Sequence, residues 1–241
     1  MHTISTSRSL TRKVQAGLAA CLFAASASLA WAEGPDRGQT GPFETDYLKF
    51  IIDHHYSALR ITELAAGTDA TRDAAILKYE GTAPTPQTQP IAAKAQSDEI
   101  KSMARRNNAG QREEILMAQR FLKEWYGIDY QPHVRPDGQQ LINRLERVAA
   151  GPAFDQTFLH AFSRHHYLAL NPTVQCVTGA DVAHRPLEQY CQNIIQMQTS
   201  DIDEMRHMLC TKFGDCDDQP FPPSARRRNQ DAVRNWANED E

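Results

Sequence analysis

The chain has 241 residues, enough for one sizeable helical domain or two small ones. With 41% hydrophobic and 23% charged residues, its composition is that of a globular protein and excludes a wholly disordered chain. A formal charge of −4 leaves no basic footprint of the kind nucleic-acid binders carry.

In chain order, residues 1–32 read as a signal peptide. Arg8, Arg12 and Lys13 give a positive start, Ala16 to Ala30 is apolar or small throughout, and Ala30-Trp31-Ala32 fits the small-x-small cleavage pattern. The apolar run is too short to span a bilayer comfortably, so no transmembrane segment is expected after cleavage. Leu18-Ala19-Ala20-Cys21 also resembles a lipoprotein box, but the longer apolar stretch follows Cys21 rather than preceding it. Loss of three basic residues and no acidic one takes the formal charge from −4 to −7. The expected location is periplasmic or secreted.

Residues 33–42 form a linker, and a first helical unit is expected over 43–128. Leu48, Ile51, Ile52, His55 and Leu59 recur at helical spacing, and Gly67-Thr68 ends that helix. The stretch 81–90 carries Pro84, Pro86 and Pro90 and reads as a loop. A second helix is predicted from Ile91 to Tyr126, bent near Asn107 to Gly110. The segment 129–152 holds a linking helix over Gln139–Ala150, with Leu141, Leu145 and Val148 on one face. A second unit follows over 153–216. Asn171-Pro172 is expected to stop its first helix, because proline lacks the backbone donor. Pro186 suits the first turn of the next helix. Residues 217–241 are a polar tail, in which Arg226-Arg227-Arg228 reads as solvated.

The two units match each other. Phe43-Glu44-Thr45-Asp46-Tyr47-Leu48 leads to His54-His55-Tyr56, and Phe154-Asp155-Gln156-Thr157-Phe158-Leu159 leads to His165-His166-Tyr167, at a constant offset of 111. Downstream, Gln111 through Glu114-Ile115 to Trp125-Tyr126-Gly127 matches Gln198 through Asp201-Ile202 to Lys212-Phe213-Gly214 at an offset of 87. Such self-similarity signals a duplicated unit. With no β-like alternation, the pattern predicts an all-α chain: a four-helix bundle of two duplicated helix pairs plus the linking helix.

Beyond the leader the cysteines are Cys176, Cys191, Cys210 and Cys216. An even number in an exported chain suggests disulfides. Cys191 and Cys210 on one helix would lie about 28 Å apart, and a disulfide needs Cα atoms within about 7 Å. Cys216 follows that helix's end, so Cys176–Cys191 and Cys210–Cys216 is the pairing that remains. The first bond is expected to clamp an inter-helix loop onto the second helix.

The paired histidines His54, His55, His165 and His166 are the sharpest chemical feature. Neighbours on a helix point about 100° apart, so one imidazole of each pair can face the bundle interior and the other its edge or the partner unit. Four neutral imidazoles would favour copper, zinc or nickel over magnesium or calcium. Met205, with Met208 and Met197, is a candidate soft ligand, but the set is not duplicated and filling a core gap is its first reading. Gln111 with Glu114, and Gln198 with Asp201, lie one turn apart and can orient the imidazoles or equally satisfy buried backbone groups and cap helix contacts. Glu204 and His207 match a di-iron Glu-x-x-His signature, but Arg120 replaces the second histidine. No nucleophile elbow, phosphate loop or dinucleotide fingerprint occurs, so no catalytic residues are assigned.

The order of Asp46, His54-His55, Gln111-x-x-Glu114-Ile115 and Trp125-Tyr126-Gly127, with its second copy from Phe154 to Gly214, resembles the domain of unknown function 305 (DUF305) family. That resemblance implies a ferritin-like helical bundle, export and, in some members, association with copper or other metals. Many members carry a methionine a turn or two after the histidine pair; Ile61 and Pro172 stand there instead, and Ala118 replaces the counterpart of Met205. The leading expectation is a non-enzymatic protein whose partner is a transition metal ion bound through the histidines. A structural or protein-interaction module with structural histidines is the alternative, and a metalloenzyme of unknown reaction the third. A homo-oligomer stays open.

Overall fold

The computed structural model describes residues 40–86, 88–178 and 182–220. The expected leader with Cys21, and the Arg226–Arg228 run, lie outside the described residues. Among these the chain is all-α, with six helices and no strand: α1 (Thr40–Ala66), α2 (Ala74–Tyr79), α3 (Asp98–Tyr126), α4 (Pro136–Arg147), α5 (Pro152–Thr178) and α6 (Arg185–Phe213). Among the described residues no helix is long and apolar enough to cross a membrane.

The four long helices close a bundle in which each neighbour runs antiparallel. Glu44 and His55 of α1 meet Tyr126 and Glu114 of α3; His166 and Cys176 of α5 meet Asp201 and Cys191 of α6. Tyr47 and His54 of α1 face Thr173 and His165 of α5. Arg106 and Glu99 of α3 pair with Glu204 and Lys212 of α6. Both α1 and α5 have 27 residues, and both α3 and α6 have 29. α3 and α6 end alike, on Gly127 and Gly214 in the left-handed region (φ 68° and 72°), where the missing Cβ removes the steric cost. α4 packs on α1 across a close approach: a Cβ on Gly138 would fall 2.2 Å from Ser57 Oγ.

Two acids tie the pairs to each other. Asp155, at the start of α5, accepts from the backbone N–H groups of Gln96 and Ser97 at the start of α3 (2.9 and 3.0 Å). Glu44, at the start of α1, accepts from Ala183 and His184 at the start of α6 (2.6 and 3.1 Å). Neither Ser97 nor His184 makes a side-chain cap of its own, so these buried carboxylates satisfy orphan donors at the positive ends of two helix dipoles. The offsets are those of the sequence match: 111 between the acids and 87 between the donors they serve.

Along the bundle axis the core is divided. One apolar cluster gathers Ile61, Leu64, Ile100, Met103, Phe154, Phe158, Phe162, Met205 and Leu209. A second gathers Leu48, Ile51, Ile52, Ile115, Leu122, Leu187, Tyr190 and Ile194. Between them every long helix contributes buried polar groups: His54 and His55, Asn107, Asn108 and Gln111, Ser163, His165 and His166, and Gln198.

Several sequence expectations need correction. α5 does not stop at Asn171-Pro172 but continues through Pro172 to Thr178. Proline forfeits one backbone bond, to Leu168, at a position where the helix surface is exposed. The later turns are held by the Tyr47 hydroxyl on Thr173 and by Cys176–Cys191. Cys176 therefore lies in a helix and not in the loop. α3 begins at Asp98 rather than Ile91, because residues 91–95 run extended and spend their backbone groups on the C-terminal end of α1: Thr68 N–H to Ile91 O, Lys94 N–H to Leu64 O, Ala95 N–H to Ala65 O. α3 runs unbroken through Asn107–Gly110. The linking helix begins at Pro136, three residues before Gln139. The short α2 had no periodic signal; Asp73 caps it through Ala75 N–H (2.8 Å).

Candidate metal centre

Adjacent positions on α1 send His54 and His55 to different neighbours. His54 stacks on His165 of α5 (ring centroids 3.8 Å apart, planes 18°), and its Nε2–H donates to the His165 carbonyl (3.1 Å). Phe50 and Phe162 extend this pair into a column of four rings: Phe50–His54 at 5.5 Å and Phe162–His165 at 5.9 Å. His55 turns to α3, where its Nε2 approaches Glu114 Oε2 at 2.9 Å. The contact is an ion-pair distance without an aligned hydrogen bond, so both His55 nitrogens still lack a hydrogen-bond partner.

α5 repeats the arrangement. His165 faces α1 and His166 turns to α6, with Nε2 3.2 Å from Asp201 Oδ2 and 3.0 Å from Asn107 Oδ1. His166 Nδ1–H donates to the Phe162 carbonyl (3.0 Å), which fixes the ring and aims Nε2 at those oxygens. His55–Glu114 and His166–Asp201 are thus equivalent imidazole–carboxylate pairs at offsets of 111 and 87.

All four imidazoles are at most 5% exposed. Burial, and then the neighbouring imidazoles, hold His54 and His165 well below the usual histidine range, so both rings stay neutral at physiological pH. Neutral rings keep a lone pair for a metal. Both nitrogens of His165, Gln111 Oε1, Gln198 Oε1 and Ser163 Oγ are also buried without a hydrogen-bond partner. A buried polar atom with no partner costs about 1–3 kcal/mol, so these groups oppose folding as they stand.

The expected residues are not all brought together. His54 with His165, His55 with Glu114, and His166 with Asp201 are in contact. Gln111 reaches the layer through Asn107 Oδ1 (3.5 Å). Gln198 is buried in the layer. Met205 lies on the Asp201 face of α6 and packs into the apolar half with Phe158 and Phe162. Among the described residues, three donors of His, Cys, Asp or Glu gather within 4.8 Å of one another at His160, Asp215 and Asp218, not at the doublets. Cys176–Cys191 and Cys210–Cys216 are bonded, with Cα atoms 6.3 and 4.1 Å apart. Sequence reasoning missed Asn107, which touches His166, Gln111 and the Met103 carbonyl. Its place one turn before Gln111 on the same face was the available signal. It also treated Glu114 and Asp201 as outer supports, whereas both touch an imidazole.

The family profile described as "Domain of unknown function (DUF305)" matches residues 87–209. Nothing among curated proteins matches. A solved structure described as "CopM in the Cu(II)-bound form" superposes with a TM-score of 0.52 at 17% identity, covering 70% of this chain and 97% of that one. That likeness is one of helical fold. The profile spans more than half of the chain, which therefore belongs to the DUF305 family.

Proposed function

We propose that this is an exported helical protein that binds a divalent transition metal, copper, zinc or nickel, in the polar layer of the bundle. The observation that carries the proposal is the buried polar layer: both His165 nitrogens lack a hydrogen-bond partner, and His55 Nε2 and His166 Nε2 each lie against a carboxylate, Glu114 and Asp201. Imidazole and carboxylate donors suit borderline divalent cations. Glu114 and Asp201 supply compensating negative charge beside His55 and His166. A bound ion would draw the donors of two helix pairs onto one centre. CopM carries Cu(II) by its description; the shared fold makes copper the first ion to test, with Met205 as a supporting thioether. Export is supported by the leader-like residues 1–32 and by two disulfides, which persist in oxidising compartments. Descent from a duplicated helix pair is supported by the matched helix lengths and the reciprocal Glu44 and Asp155 caps.

A structural reading is favoured by the bonds His54 and His166 already make. Calorimetry separates the two. The mature protein should bind Cu(II) or Zn(II) with a dissociation constant below about 10 μM. Replacing His54, His55, His165 and His166 by alanine should remove the equivalent held in the polar layer. The milder pair His55→Leu and His165→Leu guards against misfolding. Nitrogen couplings in the Cu(II) paramagnetic resonance spectrum should vanish with the same changes. Binding that is unaltered in both variants removes the proposal.

A further inference from the structure

We propose that His160, Asp215 and Asp218 form a second divalent-cation site, on the flank of the bundle and independent of the imidazole layer. One nitrogen of His160 and one oxygen from each carboxylate lie within 4.8 Å of one another. His160 Nε2 is 3.2 Å from Asp215 Oδ2, and Nδ1 is 2.9 Å from Asp218 Oδ1. The trio is assembled from two directions. α5 supplies His160, and the turn after α6 supplies both acids.

That turn is built. Gly214 reverses the chain in the left-handed region, Asp215 N–H returns to Leu209 O (3.2 Å), and Cys210–Cys216 closes the loop on either side of Asp215. Arg206 Nε–H donates to the Asp218 carbonyl (3.0 Å), fixing the far end.

An ion pair of His160 with the two carboxylates does not use all the donors. The Asp218 side chain is only 11% exposed, and its Oδ2 is buried with no partner. His160 and Asp218 line a cleft of about 690 Å³ that also reaches His165 of the polar layer. One imidazole nitrogen and two carboxylate oxygens, with water in the open positions, are the donor set of a borderline ion such as Zn(II), Cu(II) or Ni(II) rather than Cu(I). Arg144, Arg147 and Arg164 line the same cleft. Their charge opposes a cation and favours modest affinity.

The test is zinc calorimetry on the untagged mature chain. Wild type should hold one zinc equivalent that Asp215→Asn with Asp218→Asn removes, as does His160→Gln, while circular dichroism is unchanged. Opening the turn with Cys210→Ser and Cys216→Ser should weaken that equivalent by about tenfold or more. A chain with His55→Leu and His165→Leu should keep it, which separates this site from the layer. The proposal is overturned if wild type and the Asp215→Asn, Asp218→Asn chain bind the same number of zinc ions with the same affinity. It is also overturned if the lost equivalent disappears equally in the His55→Leu, His165→Leu chain.

Discussion

At the scale of single residues, the histidines oppose stability as they stand. Burial and mutual repulsion lower the proton affinity of His54 and His165 in the folded state. The unfolded chain, with histidines near pH 6.5, therefore binds more protons over the acidic range. Stability is complete above about pH 6.5 and falls as the pH drops below it. Melting temperature measured from pH 7.5 to 5 should decline, and His54→Phe with His165→Phe should flatten the decline. A flat profile in wild type would contradict the neutral, buried stack. The partnerless nitrogens make a second point. Without metal, His165→Leu should stabilise the protein by about 1–3 kcal/mol in urea unfolding, because an apolar replacement removes unsatisfied groups. Loss of stability in that variant would show that these nitrogens already have partners.

At the scale of elements, the long helices were legible because apolar and small residues recur every three or four positions. Three features were not. Residues 91–95 have helical composition, yet backbone donors and acceptors at the end of α1 claim them. Pro172 reads as a helix stop, yet tertiary anchors at Thr173 and Cys176 carry α5 past it. The repeated acids Glu44 and Asp155 stood out in the sequence match, but their service to helices some 60 and 140 residues away in sequence could not be read from local pattern. Glu44→Gln or Asp155→Asn should each cost about 2 kcal/mol, since each loses charge-assisted bonds to two backbone donors. Chemical denaturation measures it; a change under about 0.5 kcal/mol would mean water replaces the carboxylate without loss.

For the molecule as a whole, the sequence pattern puts both histidine pairs on helices, and α1 and α5 carry them. It could not show that each doublet splits, one ring to the partner pair and one to a carboxylate. That division depends on helix rotation, which packing on both sides sets. If the layer holds an ion, loading should raise stability by about 2.7 kcal/mol at a hundredfold excess over the dissociation constant, by mass action on the folded state. A thermal melt with and without Cu(II) checks it. An identical melt at that excess would show that the ion has no preference for the folded chain.

The exchanged carboxylates have a further consequence for how the chain can be divided. Glu44 serves a helix in the second pair and Asp155 one in the first, so each hairpin depends on the other for a helix start. Severed between α3 and α4, the pieces 33–129 and 130–220 should each be poorly ordered alone and should recover helical circular dichroism on mixing. Full helicity in either piece by itself would show that the borrowed acid is dispensable.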